Sequence, residues 1–122
     1  MTDKVDISWM SAPEDHDYPA AESYLKLLFE EAKAAGYIGQ LHKAQVTGFK
    51  AKDILRASGL ALLGAGNAHV DKDRKKILAG IKLSPLLLVR QPGVKVIVAD
   101  GYHRLCAVYG FDEDALIPCK IV

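Results

Sequence analysis

VIVADGYHRLCA, residues 96–107, is the stretch that decides the fold. Its first four residues are apolar and mostly β-branched, which predicts a buried strand that ends at Asp100 and Gly101. The residues after the glycine predict a helix over 102–109 that begins without a linker. Because the first N–H groups of a helix have no intrahelical partners, this junction is suited to bind an anion.

The side chains of this turn suit phosphate in particular. Gly101 has no Cβ, so a phosphate group can approach its backbone closely. Arg104 offers a planar fork of N–H donors, and His103 can both donate a hydrogen bond and carry a proton near neutral pH. We therefore predict a phosphate site with His103 as its catalytic candidate. The predicted binding residues are Asp100, Gly101, His103 and Arg104.

A purely structural interpretation of the same turn stays open. An Asp-Gly pair is common in turns, and an aspartate often caps a helix. His103 could pack against the sheet, while Arg104 could pair with Asp112 or Glu113. The local pattern alone does not choose between the two interpretations.

Composition bounds the class of protein. The chain has 122 residues, of which 50% are hydrophobic, and its net charge is +1. That is enough apolar material for one domain with one sizeable core, and too much for a disordered chain. Proteins that bind duplex DNA through many phosphates are usually clearly basic, so a dedicated DNA-binding module is not favoured. The alternative of a local basic patch on a nearly neutral protein stays open.

The N-terminus and the cysteines bear on the location of the protein. The first 17 residues lack a positive region followed by an apolar one, so we expect no signal peptide. No apolar run is long enough to cross a membrane, and we therefore expect a cytoplasmic protein without a membrane partner. Cys106 and Cys119 are too few and too far apart for a zinc site, so we interpret them as packing residues.

Hydrophobic periodicity and turn residues predict the order of elements. Glycines 36, 59 and 110 are predicted to end helices, and Asp71 to cap one. The near-continuous apolar run of strand 86–90 predicts burial on both faces. Residues 91–94 predict a hairpin turn, and the mixed order indicates an α+β fold, a small mixed sheet with surrounding helices. The predicted elements are helix 19–35, strand 44–49, helix 51–58, loop 63–69, helix 71–81, strand 86–90, strand 94–99, helix 102–109 and strand 117–122.

The turn DGYHRLCA, residues 100–107, resembles the signature turn of the ParB/sulfiredoxin superfamily. In ParB proteins a Gly-x-Arg-Arg-x-x-Ala pattern binds the phosphates of CTP, and in sulfiredoxins a Gly-Gly-Cys-His-Arg pattern binds ATP. Free-serine kinases of this fold carry an Asp-Gly-x-His-Arg turn, to which the present sequence is closest. The resemblance implies a ParB/sulfiredoxin-like fold and phosphate contacts for Gly101, His103 and Arg104.

The resemblance extends over residues 44–122, where the predicted elements follow the order of that superfamily. Residues 1–43 lie outside it and form, in this interpretation, an N-terminal arm with an extra helix. We expect the two parts to make one compact globular unit. Whether helix 19–35 caps the sheet or pairs with its copy in a homodimer stays open.

Departures from the superfamily limit what the resemblance implies. Tyr102 stands where sulfiredoxins place their catalytic cysteine, and Cys106 lies one helical turn later, so sulfiredoxin activity is not expected. The chain ends at Val122, where we expect no room for the helix-turn-helix domain of full ParB proteins. The serine kinases use a carboxylate from an early segment. Asp53 lies in the corresponding region, but a surface ion pair with Lys52 would also explain it.

Two further groups are candidates for the same ligand. In the loop before helix 71–81, Gly66, Asn67 and His69 could form a second wall of the site, since glycine-rich loops expose N–H groups to anions. The loop lacks a following Gly-Lys-Ser/Thr, so it is not a Walker loop, and it could equally be a plain connector. Lysines 72, 75 and 76 could reach a phosphate chain or RNA, or could simply be solvated.

These observations lead to two hypotheses of function. In the first, the domain binds a nucleoside di- or triphosphate such as ATP or CTP, with Mg²⁺ carried by the phosphates, and acts as a phosphotransferase or nucleotidase. In the second, it is a non-enzymatic ParB-like module that binds nucleic acid or a partner protein. A nuclease is not favoured, because the sequence has no cluster of carboxylates typical of metal nucleases.

Overall fold

A computed structural model describes residues 5–93 and 95–122. Its elements are α1 (Asp17–Leu28), α2 (Glu31–Lys43), β1 (Thr47–Lys50), α3 (Ala51–Ser58), α4 (Ala68–Leu78), β2 (Leu86–Gln91), β3 (Lys95–Asp100), α5 (Tyr102–Phe111) and β4 (Leu116–Ile121). Within this part of the chain, five helices accompany an open, mixed sheet of four strands in the order β1-β4-β2-β3. The protein therefore has an α+β fold, as predicted.

The sheet consists of two antiparallel pairs joined by a parallel one. β1 pairs antiparallel with β4, and β2 pairs antiparallel with β3. β2 and β4 lie side by side in parallel, with Leu86 opposite Cys119. The residues of β2 from Leu86 to Val89 are at most 1% exposed, which confirms the predicted burial on both faces.

Successive residues of β2 face two separate hydrophobic cores, because side chains alternate along a strand. Leu87 and Val89 pack with the buried residues of α1 and α2 on one face. Leu86 and Leu88 pack with the buried residues of α3, α4 and α5 on the other face. Helices therefore cover both faces of the sheet.

The single helix predicted over 19–35 is wrong, because the structure has two helices there. Phe29 and Glu30 adopt extended backbone angles between α1 and α2, and Gly36 lies inside α2 and not at a helix end. Phe29 packs against Tyr37, with ring centroids 5.1 Å apart. The break lets α2 fold back beside α1, so that both helices bury one face against the sheet.

The start of α4 differs from the prediction. The side chain of Asn67 accepts hydrogen bonds from the N–H groups of His69 at 2.9 Å and Val70 at 3.2 Å. Asn67 is therefore the N-cap of α4, in place of the predicted Asp71. Asparagine and aspartate both cap helices well, and the fold uses the asparagine, four positions before the predicted cap. The helix ends correspondingly early, at Leu78.

Gly110 lies inside α5, which contradicts the prediction that this glycine ends the helix. The guanidinium of Arg74 in α4 lies 4.4 Å from the centroid of the Phe111 ring, a cation–π contact that joins α4 to α5. A Cβ on Gly110 would lie 3.1 Å from Nη1 of Arg74. The glycine therefore makes room for this arginine.

Two other predicted boundaries need comment. β1 starts at Thr47 and not at residue 44. Gly93 has a φ of 80°, which the third residue of a type II turn requires. Val94 was predicted to complete that turn and to begin the next strand, and it lies outside the described residues.

The segment before α1 contacts the rest of the protein through its backbone. The N–H of Met10 donates to the carbonyl of Leu83 at 2.8 Å, and the N–H of Leu83 donates to the carbonyl of Ser8 at 2.8 Å. The predicted division of the chain between residues 43 and 44 stays a prediction. Among the described residues, no helix combines the length and apolar character needed to cross a membrane.

Leu25 and Leu27 provide a matched test of how α1 packs. Leu25 is fully buried, whereas Leu27 is 82% exposed. Leu25→Ala leaves a cavity in the core, so we expect the free energy of unfolding to fall by about 2–5 kcal/mol. We expect Leu27→Ala to change it by less than about 0.5 kcal/mol. Urea denaturation followed by circular dichroism measures both, and equal losses would contradict this packing of α1.

Candidate functional site

The signature turn (residues 100–104) lies where β3 passes directly into α5. Gly101 is the N-cap of α5 and has a φ of 108°, in the left-handed region that favours glycine. Its carbonyl accepts the N–H of Leu105 at 2.9 Å, which starts the helix. Because glycine has no side chain, it cannot cap the first N–H groups of α5 as Asn67 caps those of α4.

The space beside Gly101 is occupied by two side chains. A Cβ at this position would lie 2.7 Å from Cγ of Leu86 and 2.9 Å from Nη2 of Arg104. Real Cβ atoms do not approach other atoms so closely, so the turn needs glycine for packing as well as for its backbone angle. The missing Cβ thus admits a core leucine and the site arginine together.

Arg104 forms an ion pair with Asp100 at the base of the turn. Nη2 of Arg104 lies 2.9 Å from Oδ2 of Asp100 and 3.5 Å from the carbonyl of Pro85. The two charged side chains are 17% and 18% exposed. Nε of Arg104 is buried and has no hydrogen-bond partner among the described residues. Arg104 therefore pairs with Asp100 and not with Asp112 or Glu113, the partners that the sequence had left open.

The pKa of Asp100 is raised above its ordinary value of 3.8. Burial is the largest cause, because it disfavours the charged carboxylate. Arg104 lowers the pKa and offsets part of this effect, while the negative charge of Asp17 raises it further. The short ion pair would by itself favour a lowered pKa, but burial outweighs it here.

Asp17 is a site neighbour that the sequence did not reveal. It is 3% exposed, and its carboxylate accepts hydrogen bonds from the Ser84 hydroxyl and, at 3.1 Å, from the N–H of Glu14. Nε2 of His16 lies 3.4 Å from Asp17 and 3.1 Å from Glu14. Possible metal-ligand atoms of Glu14, His16 and Asp17 all lie within 4.8 Å of one another. The start of α1 therefore lies close enough to the turn for the charge of Asp17 to act on Asp100.

His103 and His69 lie against each other in the first turns of α5 and α4. Their ring centroids are 4.8 Å apart and the rings are inclined by 38°. Both rings line a cleft of about 190 Å³ that opens beside the signature turn. The lining residues are His69, Lys72, Asp73, Lys76, Asp100, Gly101, Tyr102, His103 and Arg104.

The structure brings together five of the seven predicted site residues. The four residues predicted in the turn and His69 line one cleft. Asn67 does not line the cleft, because its side chain is engaged as the N-cap of α4. Gly66 does not line it either. Of the predicted second wall, therefore, only His69 reaches the site.

Two of the three lysines that the sequence offered as able to reach a phosphate chain, Lys72 and Lys76, line the cleft. They lie three and seven positions after His69, and these spacings place them on one face of a helix. Lys75 does not line the cleft and forms an ion pair with Asp71 at 3.0 Å. The structure thus separates Lys72 and Lys76 from Lys75, with which the sequence had grouped them.

Asp53 does not line this cleft. Its carboxylate lies 3.4 Å from Nη2 of Arg56, and it borders a separate, mainly apolar cavity of about 210 Å³ with Arg90. Lys52 forms its short ion pair with Asp114, at 2.6 Å, and not with Asp53. The structure thus gives Asp53 a surface ion pair, although with a different partner from the one expected.

Tyr102 and the two cysteines have structural contacts. The hydroxyl of Tyr102 donates a hydrogen bond to the carbonyl of Ala61. Cys106 and Cys119 are both buried, as expected for packing residues. Burial raises the pKa of the Cys106 thiol, and it raises the pKa of Cys119 to about 11. Neither thiol has the thiolate character of a nucleophile at neutral pH.

No protein-family model, no curated protein and no solved structure matches this chain.

Gly101→Ala tests the packing of the signature turn. The substitution would combine a positive φ with contacts to Leu86 and Arg104 that are shorter than 3.0 Å. We expect the free energy of unfolding to fall by about 1–3 kcal/mol from backbone strain, and further because of the close contacts. Gly66→Ala is the control, because nothing lies within 4 Å of its added Cβ, and its effect should be small. Urea denaturation measures both, and an unchanged stability of Gly101→Ala would contradict the geometry of the turn.

The raised pKa of Asp100 predicts a pH dependence of stability. Because the folded protein holds this proton more tightly than the unfolded chain, the group contributes most stability at low pH and loses it as pH rises above 3.8. Asp100→Asn removes the titration. We expect the unfolding free energy of wild type to fall relative to the variant as pH rises from 3.8 to neutrality. Urea denaturation across this range measures the difference, and a rise would mean that Arg104 outweighs burial.

Proposed function

We propose that this protein binds a nucleotide through its phosphates in the cleft beside α5, in a domain of the ParB/sulfiredoxin type. The observation that carries the proposal is the convergence of cationic groups on a helix N-terminus. The first turn of α5 opens into a cleft that also receives Lys72, Lys76, His103 and Arg104. A bound phosphate would satisfy the free N–H groups and offset this positive charge.

The individual roles follow from the contacts. Asp100 orients Arg104 through their 2.9 Å ion pair, so the guanidinium is held beside the turn in a fixed position. His103, in the first turn of α5, would donate a hydrogen bond to a phosphate oxygen or transfer a proton. These roles support a phosphotransferase or nucleotidase, because such catalysis depends mainly on positioning and on neutralising phosphate charge.

A Mg²⁺ ion would fit this site when carried by the nucleotide. Asp73 and Asp100 line the cleft and offer carboxylate oxygens, the ligand type that Mg²⁺ prefers. Magnesium usually keeps several waters and binds mainly through the phosphates, so one carboxylate would suffice. When bound, the ion would neutralise charge on the phosphates.

A second candidate function is a ParB-like module that binds nucleic acid. It is favoured by the same basic side chains, since the phosphates of a nucleic acid could enter the cleft in place of a nucleotide. The net charge of +1 opposes it, because binding along a duplex needs many neutralised phosphates. A mobility shift of labelled DNA that weakens with salt would support this candidate, and no shift at low salt would remove it.

Thermal melting with ATP, CTP, GTP or inorganic phosphate, each with Mg²⁺, tests the proposed function. A ligand at a concentration of a hundred times its Kd should stabilise wild type by about 2.7 kcal/mol, which raises the melting temperature by several degrees. We expect His103→Ala to lose most of this shift. Arg56→Ala is the control, because this arginine is 84% exposed and lies outside the cleft. No shift with any ligand would mean that the signature turn is structural.

A further inference from the structure

α4 presents a row of polar side chains to the cleft. The row begins at His69 and continues with Lys72, Asp73 and Lys76, which lie three, four and seven positions later. These spacings place all four residues on one face of the helix. His69 is the end of the row that touches His103. Lys72 and Lys76 follow on the next two turns. The row therefore leads away from the signature turn along one wall of the cleft.

The uncompensated positive charge of the cleft lies on this row. Arg104 is neutralised by Asp100 at 2.9 Å. Lys72 and Lys76 form no ion pair with any residue in the described ranges 5–93 and 95–122. Asp73 on the same face offsets only one of the two ammonium groups. An anion that reaches the two lysines would therefore bind more tightly than an anion that contacts Arg104 alone.

The length of the row sets the size of the anion. A helix rises 1.5 Å per residue, so about 10 Å of helix axis separates His69 from Lys76. A single phosphate bound at the N-terminus of α5 is too small to contact both ends of this wall. A chain of two or three linked phosphates is long enough to extend from the turn to the lysines.

We infer that the cleft recognises a chain of linked phosphates, in which Lys72 and Lys76 bind the groups distal to the signature turn. The two lysines would thus make the site selective for di- and triphosphates over a single phosphate. This inference rests on the proposed function, because it uses the same turn to hold the first phosphate.

Isothermal titration calorimetry with base-free anions tests the inference. Inorganic phosphate, pyrophosphate and tripolyphosphate would be titrated at constant ionic strength into wild type, Lys72→Gln/Lys76→Gln and Lys75→Gln. We expect wild-type affinity to rise with chain length. The double variant should lose about tenfold or more in affinity for tripolyphosphate, since a hydrogen bond to a charged group contributes about 1.5–3 kcal/mol. Its affinity for phosphate should change by less than about threefold, which corresponds to under about 0.7 kcal/mol.

Lys75→Gln controls for general electrostatics, because it removes one positive charge from the same helix outside the cleft. It should bind all three anions like wild type. An equal loss in this variant, no loss in the double variant, or equal losses for phosphate and tripolyphosphate would each overturn the inference while leaving the proposed function standing. Failure of wild type to bind any of the anions would overturn the proposed function itself. Urea denaturation of each variant confirms that it is folded.

Discussion

The absence of a side chain at Gly101 is the constraint on which the core and the candidate site both depend. The glycine turns the chain from β3 into α5 with a φ of 108°, and the space beside it holds Leu86 on one side and Arg104 on the other. Leu86 belongs to the core between the sheet and three helices, whereas Arg104 belongs to the cleft. Any residue with a Cβ here would displace a core leucine and a site arginine together.

The Asp100–Arg104 ion pair at the signature turn is opposed by desolvation. Both side chains are more than four-fifths buried, and burial raises the pKa of Asp100 despite the arginine at 2.9 Å. The negative charge of the nearby Asp17 raises this pKa further. A buried ion pair is weak evidence for stability, because desolvation can exceed the attraction. Its effect here is to fix the guanidinium beside a helix N-terminus.

The sequence predicted local junctions well and tertiary contacts poorly. The passage from β3 through Gly101 into α5 is encoded within a few residues, as is the burial of β2 on both faces. The break between α1 and α2 falls at Phe29 and Glu30 and has no glycine or proline to mark it, and Phe29 packs against Tyr37 of α2. The sequence predicted Asp71 as the cap of α4, but the fold uses Asn67, because both residue types cap helices and local preference does not distinguish them.

The same distinction explains which site residues the sequence revealed. Residues of the signature turn are neighbours in the chain, so their pattern was visible. The sequence offered Lys72, Lys75 and Lys76 together as candidates. Which of the three line the cleft depends on how α4 packs beside α5, and helical spacing alone does not contain that fact. Asp17 acts on the charge of Asp100 and accepts a hydrogen bond from Ser84, 67 positions later in the chain. Contacts between such distant residues leave no local pattern to read.

The small volume of the cleft limits how much of a nucleotide it could enclose. Sites that enclose a drug-sized ligand usually measure about 300–1,000 Å³, whereas this cleft measures about 190 Å³. Its lining is almost entirely polar and charged, which suits phosphates. Under the proposed function, the phosphates would enter the cleft and the base would lie outside it. Selectivity would then come mainly from the number and charge of the phosphates, because a base outside the cleft would not contact its lining.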